Sequence, residues 1–105
     1  DCGLTEVPPS TIRFAGLTIP FSGGFFLRAL PYWFIRRALR RVNAEGQPAV
    51  VYLHPWELDT DQPRNLPIPF TDRMIHYMNL HTTERKLRGL CESFSFGPVC
   101  EVVSL

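Results

Sequence analysis

The stretch that decides the predicted fold runs from Ala49 to Glu57 and reads AVVYLHPWE. Its first five residues are apolar and partly β-branched, which is typical of a strand covered on both faces in a parallel sheet. Pro55 has no backbone donor and ends that strand. Polar groups at the carboxyl end of a parallel strand lie where α/β folds place catalytic residues. His54 stands at that end, and histidine titrates near neutral pH, so it is the first candidate for proton transfer.

The longer predicted elements around this strand are helices. Before it, apolar residues at three- and four-residue spacing predict a helix between residues 26 and 45, and we expect its regular part to start near Leu30 because Pro31 suits a first turn. After it, a polar, proline-rich connection covers residues 58–70, which is longer than a structural loop usually needs. A second clear helix follows, for which Thr82 is the predicted N-cap.

Shorter segments complete an α/β pattern. We predict short strands over residues 4–7, 11–14, 17–19 and 96–103, and a short helix over residues 72–79. Helices that alternate with strands indicate βα units on a parallel sheet. A sheet of only two or three parallel strands would leave an edge and a face exposed. We therefore expect the chain to be a piece of a longer protein.

The bulk properties exclude several classes of protein. With 105 residues the chain is at most one domain, and its net charge of +1 gives no field that would attract nucleic acid. No apolar stretch approaches the ~20 residues of a membrane span. The three cysteines show no CxxC spacing, which excludes a zinc ribbon and disfavours a disulfide framework. We expect Cys91 to pack on an apolar helix face and Cys100 to lie in a strand. Free cysteines favour the cytoplasm over the periplasm.

A series of short blocks resembles one known family. It is the C-terminal region of polysaccharide deacetylases from bacterial exosortase-associated exopolysaccharide clusters, and the resemblance covers nearly the whole chain. The blocks, in order, are Glu6-Val7-Pro8, Ser10-Thr11-Ile12-Arg13, Ser22-Gly23-Gly24-Phe25-Phe26, Leu30-Pro31-Tyr32-Trp33, Arg41-Val42-Asn43, Gly46-Gln47-Pro48-Ala49, His54-Pro55-Trp56-Glu57, Asp61-Gln62-Pro63-Arg64, His76-Tyr77-Met78-Asn79-Leu80 and Phe94-Ser95-Phe96-Gly97.

That family is similar to the family 4 carbohydrate esterases, so the resemblance implies the C-terminal portion of a distorted (β/α)7 barrel. It also implies hydrolysis of N- or O-acetyl groups on a polysaccharide, with Zn²⁺ or a similar divalent metal held by one Asp and two His. An Asp would be the general base. A histidine near the C-terminal part of the barrel would be the general acid, and His54 corresponds to it in position.

The early motifs that carry the base and the metal ligands are absent from this chain, which is also about half of the roughly 200 residues that a barrel needs. We therefore expect no metal in this segment and no activity from it alone. The expected partners are the N-terminal half of the same deacetylase and its acetylated polysaccharide substrate.

Each further candidate residue has a functional and a purely structural interpretation. Trp56 is either a sugar-stacking platform or part of the barrel rim. Glu57 orients His54, binds substrate or is a solvated loop acid. Gly23 and Gly24, with Phe26 and Arg28, line a substrate cleft or simply form a turn before the helix. We assign all six to substrate binding.

Three charged or histidine-containing groups have plainer interpretations. The alternating acids Glu57, Asp59 and Asp61 lack the glycine turn and the distal Glu of a calcium loop. His76 and His81 are five residues apart, which does not bring them together on a helix, so we expect surface histidines. The four arginines on the first long helix (Arg36, Arg37, Arg40 and Arg41) are interpreted as its solvated face. The alternative to an enzyme part is a non-catalytic module that binds glycan or protein through Trp56, Tyr32 and these arginines.

Overall fold

Residues 3–102, the part of the chain that this computed structural model describes, contain one sheet, an antiparallel hairpin. Its strands are β1 (Thr11–Phe14) and β2 (Leu17–Pro20). The turn residues between them, Ala15 and Gly16, have φ angles of +49° and +80°. Two consecutive positive φ angles match the twist of a two-residue hairpin, and Gly16 adopts its angle without a steric cost. The prediction of these two short strands is confirmed.

The remaining regular structure is helical. In chain order the helices are α1 (Gly24–Ala29), α2 (Tyr32–Ala44), α3 (Phe70–Tyr77), α4 (Leu80–Ser93) and α5 (Val99–Val102), with a 3₁₀ turn, Pro55–Leu58, between α2 and α3. No helix among the described residues is long and apolar enough to cross a membrane.

The predicted α/β fold, a portion of a (β/α)7 barrel with parallel strands alternating with helices, is wrong. Among residues 3–102 no such strands form. Residues 49–53 are extended but make only one isolated parallel bridge, between Tyr52 and Gly23. Ala49 and Val51 pack against the hydrophobic core directly. An apolar extended segment packed on a core has the same sequence pattern as a buried strand, so the pattern could not separate the two.

Two other predicted strands are also wrong. Residues 4–7 form no ladder, and the described part of the 96–103 segment contains the short helix α5. Position 103 lies outside the described residues. Cys100 is therefore helical, and Cys91 and Cys100 are both exposed free cysteines, so Cys91 does not lie on a buried helix face as predicted.

The helix predicted over residues 26–45 is divided at Pro31. Leu30, with ψ of 150°, and Pro31, with ψ of 143°, are extended, because the residue before a proline is pushed out of the helical region. The longer piece, α2, presents the predicted apolar stripe to the core. The buried apolar cluster consists of Phe21, Leu27, Ile35, Ala38, Leu39, Val42 and Leu90.

Polar contacts fix the extended segment in front of His54. The Ser10 hydroxyl accepts a hydrogen bond from the Val50 amide at 2.8 Å, and the Ser10 amide donates to the Val50 carbonyl at 3.1 Å. The hydroxyl of buried Ser22 donates to the Ser10 carbonyl at 2.7 Å, and the Tyr52 amide donates to the Ser22 carbonyl at 2.9 Å. The segment is thus anchored to the residues that flank the open end of the hairpin, Ser10 before β1 and Ser22 after β2.

Candidate functional site

His54 lies at the start of the 3₁₀ turn, where the extended segment ends. Its side chain is 49 % exposed, and Nε2 lies 2.6 Å from the Tyr52 hydroxyl. Residues two apart in an extended segment project to the same side, which brings these two rings together. The rings meet edge to face, with centroids 4.8 Å apart. His54 is therefore accessible but held in a defined orientation.

The buried carboxylate of Glu57 lies behind this histidine. Oε2 accepts a hydrogen bond from the His54 amide at 2.8 Å and lies 3.7 Å from the ring nitrogen Nδ1. Glu57 is 1 % exposed, so the carboxylate must be paired within the protein. A carboxylate on the Nδ1 side of the ring helps to fix the orientation of the imidazole.

Arg28 is the ion-pair partner of Glu57. Its Nε donates to Oε1 at 3.1 Å, and both side chains are almost fully buried. The same guanidinium donates from Nη1 to the carbonyls of Ile75, His76 and Met78 at 2.9–3.0 Å. Since these carbonyls lie at the end of α3, Arg28 links α1, the 3₁₀ turn and α3 at one point.

Gly24 makes room for the carboxylate. A Cβ atom at this position would lie 1.9 Å from Oε2 and 2.3 Å from Oε1 of Glu57, well inside van der Waals contact. Gly23 has no such constraint, because its nearest neighbour would be Cδ2 of Phe26 at 3.8 Å. Of the two adjacent glycines, only Gly24 is required by this packing.

An aromatic row, which we define as Tyr52, His54, Trp56, His76 and Tyr77, covers the site. Trp56 and His76 stack with centroids 4.4 Å apart and planes 9° apart, and His54 stacks on Trp56 at 6.1 Å. The Arg28 guanidinium lies 5.2 Å from the Trp56 ring centroid. His76 Nε2 is 2.7 Å from the Gln62 Oε1, so this nitrogen carries the proton that it donates to the amide oxygen.

The structure brings together five of the seven residues singled out from the sequence: His54, Trp56, Glu57, Gly24 and Arg28. Gly23 joins them through its backbone bridge to Tyr52. Phe26 is half-buried on α1 and packs edge to face on Phe25, with centroids 5.3 Å apart.

The sequence interpretation missed the other members of the row. His76 was expected to be a separate surface residue, but it is half-buried against Trp56. No local pattern connects these two residues, because α3 reaches Trp56 only through the fold. Tyr52 could have been identified, since it stands two positions before His54 in an extended run.

We tested whether the residues present could hold the metal expected of a complete deacetylase. Among residues 3–102, no group of three or more His, Cys, Asp or Glu side chains is arranged to hold an ion. Asp59 instead uses Oδ1 to accept a hydrogen bond from the Asp61 amide at 2.9 Å, which is a local turn. The described residues therefore do not fit a metal ion.

A family model described as "Domain of unknown function (DUF3473)" matches residues 1–104. The chain belongs to the DUF3473 family. Searches of curated proteins and of solved structures find no match. In this DUF3473 domain the family match includes every residue of the site around His54.

Proposed function

We propose that this DUF3473 domain is the C-terminal part of a metal-dependent polysaccharide deacetylase, in which His54 is the general acid for removal of N- or O-acetyl groups from an exopolysaccharide. Two observations support the proposal. The first is the resemblance of the ordered sequence blocks to that class of enzyme. The second, which carries the proposal, is the geometry of a half-exposed histidine backed by a buried carboxylate.

The surroundings of His54 suit a proton donor. Nδ1 faces Glu57, so Nε2 on the opposite side of the ring is the nitrogen that would donate a proton to a leaving group. The leaving group would take the place of the Tyr52 hydroxyl, which lies 2.6 Å from Nε2 in this structure. A positioned acid of this kind typically contributes 10²–10⁴-fold to a rate. Glu57, held by Arg28, would keep the ring oriented with Nε2 away from the carboxylate.

The other candidate residues would support His54 in this proposal. Arg28, Glu57 and Gly24 are buried, so they would act on the histidine and not touch the polysaccharide. Trp56 is half-buried, with His76, His54 and the Arg28 guanidinium against its ring, so only the part of the ring that these groups leave exposed would meet substrate. The divalent metal and the general base would be held by residues outside the described part of this chain.

A non-catalytic glycan-binding module is the second candidate, and the aromatic row favours it. Tyr52 is 48 % exposed beside His54, and exposed aromatic rings bind the apolar faces of sugars. The two candidates differ in one respect: only the enzyme requires a proton to leave His54.

Acetate release by the complete, Zn²⁺-supplemented enzyme from an acetylated chitooligosaccharide tests the proposal. We expect His54→Ala to lower kcat by ~10²-fold or more while metal content and circular dichroism stay unchanged. His81→Ala is the matched control, because His81 is exposed on α4, and it should retain full activity. Unchanged turnover in His54→Ala would refute the catalytic role. Retained sugar binding by that variant would then favour the binding module.

A further inference from the structure

The outer part of the hairpin carries apolar side chains that nothing in the described chain covers. Phe14 and Leu17 face each other across the strands and are 65 % and 69 % exposed. Ile12 lies two residues from Phe14, so both project from the same face of the hairpin. Ile12 packs against the core, whereas Phe14 extends the same apolar face beyond it. Adjacent exposed apolar side chains of this kind mark surfaces that bind a partner.

The first turn of α2 continues this apolar surface. Trp33 is 65 % exposed, and its ring is held edge to face against Phe34 with centroids 5.9 Å apart. Between α2 and the hairpin lies a groove of about 750 Å³, to which Ile12, Phe14, Trp33 and Phe34 contribute. This volume falls in the range of ligand-sized clefts, and the rigid aromatic walls suit an apolar side chain.

Arginines line the remainder of the groove. Arg36, Arg37, Arg40 and Arg41 all contribute, and no Asp or Glu does. Of these four arginines, only Arg41 forms an ion pair with a described residue, Glu45 at 3.2 Å. The Nε of Arg36 is buried and has no hydrogen-bond partner among the described residues. The groove therefore presents unmatched positive charge next to exposed apolar surface.

We propose that the groove between the hairpin and α2 is a docking site for an acidic, amphipathic protein segment. Apolar side chains of that segment would enter the groove beside Phe14 and Trp33, and its carboxylates would pair with Arg37 and Arg40. Aromatic residues and arginine are the residue types enriched at the centres of protein interfaces. The four arginines, with no acid among the lining residues, favour a segment that carries carboxylates, and the aromatic walls favour one that also carries apolar side chains. This inference is independent of the catalytic role of His54.

Three synthetic helical peptides of equal length test the proposal with the full chain. The first carries Leu on one face and Glu on the other, the second replaces each Glu by Lys, and the third replaces each Leu by Ser. Binding is followed through the indole N–H resonance of Trp33, one of only two tryptophans. We expect the Leu/Glu peptide to shift that resonance saturably and the other two peptides to bind at least tenfold more weakly.

Charge-reversal variants identify the surface. The double variant Arg37→Glu/Arg40→Glu should weaken binding of the Leu/Glu peptide at least tenfold, whereas Arg85→Glu, on α4 and outside the groove, should change it less than twofold. Both arginines of the double variant are exposed, so the fold should persist, which the amide spectrum checks. Equal binding of the Glu and Lys peptides, no binding, or equal effects of the two variants would overturn the proposal. A Trp33 shift with phosphatidylserine vesicles but not with the Leu/Glu peptide would also overturn it, in favour of a membrane surface.

Discussion

At the residue scale, Gly24 is the position where the site tolerates least change. A Cβ atom there would lie 1.9 Å from Oε2 of Glu57, so Gly24→Ala must displace the carboxylate from Arg28 and from the His54 amide. Overpacking of this kind costs about 1–3 kcal/mol. We expect urea denaturation to show that loss in the free energy of unfolding, and the ring resonances of His54 to move.

The neighbouring glycine supplies the control. In Gly23→Ala the new Cβ would lie 3.8 Å from Phe26, an ordinary contact, and the backbone φ of −80° suits alanine. We expect a change within about 1 kcal/mol, in either direction. Similar losses in both variants would show that the constraint comes from the glycine backbone and not from the Glu57 carboxylate.

How much of the site the sequence reveals depends on the distance between its residues along the chain. His54, Trp56 and Glu57 are adjacent in sequence, and an apolar run ending in proline was enough to single them out. Arg28 and Glu57 are 29 residues apart, and their pairing follows from the packing of α1, which no local pattern encodes. Arg28 was identified for substrate binding, yet its observed contacts are with Glu57 and the end of α3.

At the element scale, the short helix α1 depends on Lys86 of α4. Its Nζ donates hydrogen bonds to the carbonyls of Leu27, Arg28 and Leu30 at 2.8–3.1 Å, where the helix leaves its carbonyls without internal partners. Burial, and to a smaller extent the Arg85 guanidinium, lowers the pKa of Lys86 from its ordinary value. A helix of six residues is not stable by itself, so these contacts matter to it.

Lys86→Met should therefore loosen α1. The variant keeps the aliphatic stem but removes the donor from the carbonyl groups, which costs about 1–3 kcal/mol where such groups stay buried. We expect that loss in the free energy of unfolding, and faster hydrogen exchange at the α1 amides. The exposed neighbour provides the comparison: Arg85→Met should stay within about 0.5 kcal/mol. Equal exchange rates at α1 in both variants would contradict the capping role.

The elements also show where periodicity succeeds and where it fails. The apolar stripe of α2 was sufficient because that helix buries one face, and the alternation of the hairpin was sufficient because Ile12 and Ile19 are partly buried between exposed neighbours. The N-cap of helix α4 is Asn79, with a left-handed φ of 54°, and not the predicted Thr82, so the helix begins at Leu80. Residues 49–53 were assigned to a parallel sheet because an apolar run does not specify whether a strand or a helix will lie beside it.

At the scale of the whole molecule, the hairpin and the segment that ends at His54 are joined through Ser10. In Ser10→Ala the Val50 amide loses its hydroxyl acceptor, and an amide left without a partner costs about 1–3 kcal/mol. We expect urea denaturation to show this loss and the His54 ring resonances to broaden, although the mutation lies 44 positions away in sequence. Ser95→Ala, at an exposed position, should change stability by less than about 0.5 kcal/mol and leave His54 unaffected. If Ser10→Ala is no more costly than Ser95→Ala, the hairpin does not support the site, and the orientation of His54 depends on Glu57 and Arg28 alone.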